Sequence, residues 1–539
     1  MLYFTYLLLR LAVLATLLYL TFGSSAIGQE LKARCLRITR GFLALVSVLA
    51  IGWYLLSASL YFIHDGYVNH VEPSIASHSY GWLLGQPPYH SPDAGERSSL
   101  PYGPWLFIVH ALLFHLFGPS MLVSKLAGFL AALLSPLLFH ALVRRFAPPA
   151  TAWAATGLLT LYLLMYCQDP FGNKSDPLIL TGVILASWST LLTSAPAAFL
   201  VFALPAGFSM GLKLHAIIYY LPILACHSRH RSGKWLAGSL FTAGLVAAAP
   251  FLLRNDVSLP NFIWCLTFTA NHGFDTSLFV QGLNMALFLL LLPLGVGSFD
   301  TADREDRHFG VLLFSLAAAV LVSSKAGAGP IHLLPFIPLT LALAAKGVPD
   351  PEALFRQEAA ENRRTRLTVS LLAASFLVGT GFAAANQWYF WGIMADNMAA
   401  APTAELRDIL ASHPGMPVSL GYGSRDPALY RSTDYRLSLW HPIVVLAGTP
   451  LAFDLPAVMD MTKAGLELPD ASIDLLRSGR MKLWIIPRGA APFLVFNIYE
   501  PHTDLFGERF RTAFHRYYRL ATPTEHFDLW EYTAGNPGR

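Results

Sequence analysis

What most constrains this chain is a series of long apolar runs separated by short polar breaks, filling residues 2–385. Lipid offers no water to pair with backbone N–H and C=O groups, so a run that crosses it must satisfy them internally and becomes a helix. Hydropathy predicts about twelve crossings: 2–22, 41–63, 121–143, 151–166, 177–192, 196–211, 214–225, 235–253, 279–296, 310–322, 331–345 and 367–385. Only 13% of the 539 residues are charged and mean hydropathy is +0.48. A soluble domain carries about 25% charged residues, so the fold class is an α-helical polytopic membrane protein.

Basic residues recur at alternate breaks. Lys32, Arg34, Arg37 and Arg40 are followed by Arg144 and Arg145, by Arg229, Arg231 and Lys234, by Arg304 and Arg307, and by Arg356, Arg363, Arg364 and Arg366. They mark the inner face under the positive-inside rule. Ser24-Ser25-Ala26 has the look of a signal-peptide cleavage site, but cleavage there would leave four basic residues facing outward. An uncleaved anchor fits better. Residues 105–117 are too short to span and are expected to lie at the outer interface as a helix. Five polar segments then share the outer face: 64–105, 168–177, 213–215, 254–277 and 323–332.

Beyond residue 385 the composition turns ordinary. Residues 386–539 are expected to form a small outer α/β domain, either a lid or a docking module. PVSLGYG, HPIVVLAG, MKLWIIP and HFDLWEY read as strands, ELRDILASH and SIDLLRSG as helices. The net charge of +4 is spread over membrane loops and gives no support for nucleic-acid binding. No P-loop, Rossmann glycine pattern or GxSxG motif is present, so ATP, NAD and acyl-enzyme chemistry have no support. Cys35, Cys167, Cys226 and Cys265 lack metal-ligand spacing; a Cys167–Cys265 disulfide is the minor reading.

Residues 64–105 form the longest polar interruption of the apolar part. Glu72 precedes a proline where a helix begins, a place that suits a helix-start acid and equally a general base. Asp65, in HDG, is the second candidate base, although the tripeptide also suits a plain turn. Tyr67, Tyr80, Trp82, Tyr89, Tyr102 and Trp105 would stack on a sugar or form an interfacial aromatic belt. His64, His70, His78 and His90 have no regular ligand spacing, so a divalent metal is not indicated and no cofactor is expected.

The loop resembles the first extracytoplasmic loop of GT-C glycosyltransferases, the polytopic enzymes (mannosyl- and arabinosyltransferases among them) that use polyprenyl-phosphate sugars. That family carries an acidic motif just after an early span, then Gly and Tyr, then a proline-containing motif. Here Glu72 is followed by Gly85, Tyr89 and Tyr102-Gly103-Pro104, and Ser175-Asp176-Pro177 matches a later outer Asp-Pro. The usual Asp of an Asp-Glu pair is Val71 here, which leaves the base role between Glu72 and Asp65. The likeness covers approximately residues 41–345.

The resemblance implies an inverting transfer from a polyprenyl-phosphate sugar donor to a glycan, lipid or protein acceptor, in a bacterial inner membrane. In that reading Lys213, His215, Lys325 and His332 hold the lipid phosphate, joined by Asp176, Tyr89, Tyr102 and Arg97 as substrate-binding residues. A lysine at the surface of a membrane also simply snorkels to the headgroups. A transporter or lipid flippase is the alternative function, but its polar groups belong near the midplane rather than at one face. A non-enzymatic assembly protein working through the C-terminal domain is the third.

Overall fold

A computed structural model describes residues 2–23, 29–296, 306–348, 363–399, 402–424, 438–498, 500 and 502–534. Ser24-Ser25-Ala26, Arg304 and Arg356 lie outside them. Each of the twelve expected runs contains a helix. In order, these are α1 (Leu2–Gly23), α2 (Gln29–Ile63), α5 (Met121–Val143), α6 (Pro149–Leu164), α7 (Ser175–Trp188), α8 (Ala195–Met210), α9 (Ile217–His227), α10 (Gly233–Leu253), α12 (Thr276–Val296), α13 (Asp306–Ser323), α14 (Phe336–Lys346) and α15 (Arg363–Ala399). Three further helices lie outside these runs: α3 (Val71–Leu83) and α11 (Leu259–Ala270) in the polar segments, and α4 (Pro104–Phe117) at the short apolar stretch 105–117. Five helices are long and apolar enough, by length and composition, to cross a membrane, and shorter apolar ones accompany them.

The chain divides into two compact units. The first comprises Met1–Phe62, Gly128–Ala247 and Gly273–Trp391; the second comprises Ile63–Ala127, Ala248–His272 and Gly392–Arg539. The sequence groups the loop 64–105 with the apolar part, whereas in the structure it packs with the C-terminal residues.

In the first unit, small residues let helices approach closely, as packing in lipid requires. A Cβ on Gly157 would lie 2.5 Å from the Cα of Ser47, and one on Gly207 would lie 2.5 Å from the carbonyl oxygen of Ala243. Helix α7 packs along α8, and α13 along α9.

In the second unit, α4 starts with Pro104 in its first turn, where the missing N–H costs nothing, and stops at Gly118 with φ of 82°. The C-terminal part adds α16 (Thr403–Ser412), α17 (His441–Leu446), α18 (Leu455–Lys463), α19 (Asp470–Arg477) and α20 (Gly507–Tyr517). Its main sheet orders β1 (Val418–Leu420), β3 (Leu483–Pro487), β6 (Phe527–Tyr532) and β5 (Tyr518–Pro523), with β1 parallel to β3 and the other pairs antiparallel. A two-residue ribbon joins β2 (Gly423–Ser424) to β4 (Ala491–Pro492). The sheet's core is aromatic. Trp484 is fully buried among Phe453, Phe493, Phe514 and Tyr518. One strand expectation fails here: HPIVVL is a helix, because Pro442 sits in its first turn and favours helix start over the strand preference of Ile443, Val444 and Val445.

Candidate functional site

In the second unit, the first residue to place is Glu72, the expected base. It lies in the first turn of α3 and is fully buried. Asn69 builds that turn. Its Oδ1 accepts the N–H groups of Val71 (2.9 Å) and Glu72 (3.2 Å), while its Nδ2 donates to Glu72 Oε2 at 2.9 Å. The Asn69 bond fixes the orientation of the Glu72 side chain. Lys125, also fully buried, donates to the carbonyls of His64 (2.7 Å) and Gly66 and interacts electrostatically with Glu72 and Asp65. Asp65 is different in kind: exposed, and ion-paired to Arg407 at 2.8 Å. Burial and the neighbouring Lys125 lower the His64 pKa to about 4, so its ring is neutral at physiological pH.

Within the first unit, the expected phosphate-binding residues do come together. Lys213 Nζ meets Asp176 Oδ1 at 2.7 Å, both side chains largely buried. Asp176 occupies the first turn of α7. His332 Nδ1 and His215 Nε2 are 3.0 Å apart, one donating to the other. Lys213 and Lys325 both act electrostatically on the two rings. Lys325 sits in a bridge with Phe274, in the glycine-containing turn before His332. Two ammonium groups, two imidazoles and one orienting carboxylate make a set suited to a phosphate, which charge-assisted donors bind best.

Three other expected substrate-binding residues make contacts within the second unit. The Tyr89 ring is fully buried against Phe107 and Phe262, and its hydroxyl donates to the Tyr102 carbonyl at 2.6 Å. Tyr102 thereby contributes its backbone, ahead of α4. Arg97 is buried, donates to the carbonyls of Ser91 and Pro92, and stacks over Trp264 at 5.5 Å. Its two terminal nitrogens thus tie the loop together, while its buried Nε has no hydrogen-bond partner among the described residues. His78 and His90 are likewise bonded locally, to Pro88 O and Ser98 Oγ. Cys167 and Cys265 are free thiols, so the disulfide of the minor reading is not formed. Among the described residues, Glu405, Glu525 and His526 are close enough together to hold a metal ion, but Glu525 and His526 are exposed, and exposed acidic groups commonly gather without one.

No family profile matches the sequence, and no curated protein is similar to it. Among solved structures, ArnT from Cupriavidus metallidurans bound to undecaprenyl phosphate matches with a TM-score of 0.57, covering 92% of this chain and 98% of its own, at 14% identity. The apo state of the same protein matches with a TM-score of 0.54 over the same spans, at 13% identity. This chain has the GT-C fold. The arabinosyltransferase EmbB from Mycobacterium smegmatis aligns over 56% of this chain at a TM-score of 0.38, too low to add to that.

Within the GT-C fold, sequence reasoning missed four residues that shape the carboxylate's surroundings. Asn69 was detectable, three positions before Glu72 at capping distance. So was Lys125, a lone charge inside an apolar run. Ser74 and Asp454 were not, since their 2.7 Å bond joins positions 380 residues apart.

Proposed function

We propose that this chain is an integral membrane glycosyltransferase that moves a sugar from a polyprenyl-phosphate donor to an extracytoplasmic acceptor. The observation that carries this reading is the fully buried Glu72, aligned by Asn69, in a chain of GT-C fold whose solved neighbour ArnT binds undecaprenyl phosphate. Glu72 takes the proton from an acceptor hydroxyl. The hydroxyl oxygen attacks the anomeric carbon, the bond from that carbon to the phosphate oxygen breaks, and the configuration inverts in one displacement. Lys213, His215, Lys325 and His332, with Asp176 orienting Lys213, stabilise the charge that develops on the leaving phosphate. The burial of Glu72 and the exposed, Arg407-paired state of Asp65 favour Glu72 as the base. No divalent metal is assigned a role, and the membrane concerned is a bacterial inner membrane.

The test is transfer by purified protein in detergent from a panel of polyprenyl-phosphate sugars, with Glu72→Gln beside the wild type. Loss of the base lowers turnover by about a hundred- to ten-thousand-fold, while undecaprenyl phosphate affinity and thermal unfolding stay near wild type. A Glu72→Gln protein that turns over at the wild-type rate removes the assignment. A wild type that neither binds undecaprenyl phosphate nor consumes any donor removes the reading altogether.

A further inference from the structure

The second unit holds a cavity of about 160 Å³ on which Asp65 opens. Its lining includes His64, Asn397, Thr403 and Trp440, three of which come from the C-terminal segment of the chain. The backbone around Asp65 is fixed from below, since Lys125 Nζ grips the carbonyls of His64 and Gly66. Arg407 fixes the carboxylate itself. Asn397 donates Nδ2 to the Tyr67 carbonyl at 3.3 Å, which sets the plane of its amide.

These groups have one chemistry in common. A carboxylate accepts from two neighbouring hydroxyls, an amide and a threonine hydroxyl donate and accept, and a neutral imidazole does both. Beside them Trp440 offers an apolar ring face. An anion is disfavoured by Asp65, because the nearest cations are committed to Asp65 and to backbone carbonyls. A purely apolar ligand would make no use of the remaining acceptor capacity of Asp65, which Arg407 engages through Oδ2, or of the Asn397 amide oxygen. Pockets for drug-sized ligands run from about 300 Å³ upward, so this one takes a single ring.

We propose that this cavity is a sugar subsite that binds one neutral pyranose or furanose ring, with Asp65 and Asn397 bonding its hydroxyls and Trp440 packing on its apolar face. The inference rests on the glycosyltransferase reading and deepens it. Asp65 becomes a recognition residue rather than a second base, and the C-terminal segment becomes a determinant of which sugar is accepted.

Saturation-transfer NMR on the full chain in nanodiscs tests this, with the methyl glycosides of mannose, glucose, galactose and arabinose as probes at roughly millimolar concentration. At least one glycoside shows transfer to its ring protons, and Asn397→Ala weakens its binding at least tenfold. Trp440 also packs against the sheet's core, so Trp440→Ala is paired with Thr403→Val, a near-isosteric change at the helix start; both weaken binding. Where the glycoside stays bound under saturating donor, the ring belongs to the acceptor; where donor displaces it and Trp440→Ala raises donor KM, it belongs to the donor. No saturation transfer from any glycoside, or transfer unchanged in Asn397→Ala and Thr403→Val, overturns the proposal. Undecaprenyl phosphate binding by the same preparation separates that outcome from failure of the glycosyltransferase reading.

Discussion

Asp454 shows how a single residue couples the chain's distant parts. It is fully buried, accepts from Ser74 Oγ at 2.7 Å, and thereby fixes the first turn of the helix that carries Glu72. Burial, with Asp460 nearby, raises its carboxyl to about 7. Unfolded, it titrates near 3.8. Between those values the folded protein holds a proton that the unfolded chain has released, so stability falls as pH rises. The contribution is therefore complete below about pH 4 and lost as pH climbs through about 7, on the order of 4 kcal/mol at about 1.4 kcal/mol per pH unit. The expected outcome is a lower Tm at pH 8 than at pH 5.5 in the wild type. In Asp454→Asn, which keeps an acceptor for Ser74 and cannot ionise, much of that difference disappears. Equal pH slopes for the two proteins would count against an ionising Asp454.

At the scale of elements, close approach decides which glycines matter. On α6, a side chain at Gly157 would collide with the backbone of Ser47 on α2, whereas Gly52 on α2 has nothing within 4 Å of its would-be Cβ. Gly157→Leu should therefore strongly reduce the yield of folded protein, overpacking costing about 1–3 kcal/mol or more. Gly52→Ala should leave the yield unchanged or slightly improved, since alanine lowers the entropy cost of a helix. Size-exclusion profiles in detergent read both. The elements themselves were legible: an apolar run of spanning length in lipid has little choice but helix, and all twelve runs contain one. The helix at 105–117 was legible too, starting one residue earlier, at Pro104. What local sequence hides is context. HPIVVL carries strand-forming side chains and is turned into a helix by its proline, and nothing in the local sequence announces the partners that hold Tyr89 and Arg97. The cationic cluster fared better, because Lys213, His215, Lys325 and His332 each stand at the end of an apolar run, where topology alone gathers them.

The second unit as a whole is built from three separated stretches of chain. Arg97 forms a bridge with Phe453, Gln86 bonds Leu451 at 2.9 Å, and Ser472 Oγ donates to Gly95 O at 2.7 Å. A chain truncated after residue 385 strips these partners from 63–127. It should lose transfer activity and become sensitive to limited proteolysis within that stretch, while its first unit still extracts as a helical protein. Proteolysis no faster than in the full chain would show that 63–127 folds without them. The same architecture sets an order of events during synthesis. A ribosome adding roughly 5–20 residues per second finishes the helix of Glu72 on the order of 20–80 seconds before it reaches Asp454, 380 positions after Ser74. For that interval the buried carboxylate has a lysine and an asparagine for company but no cover. The newborn protein therefore carries the Glu72 helix without its Asp454 anchor until the last quarter of the chain emerges.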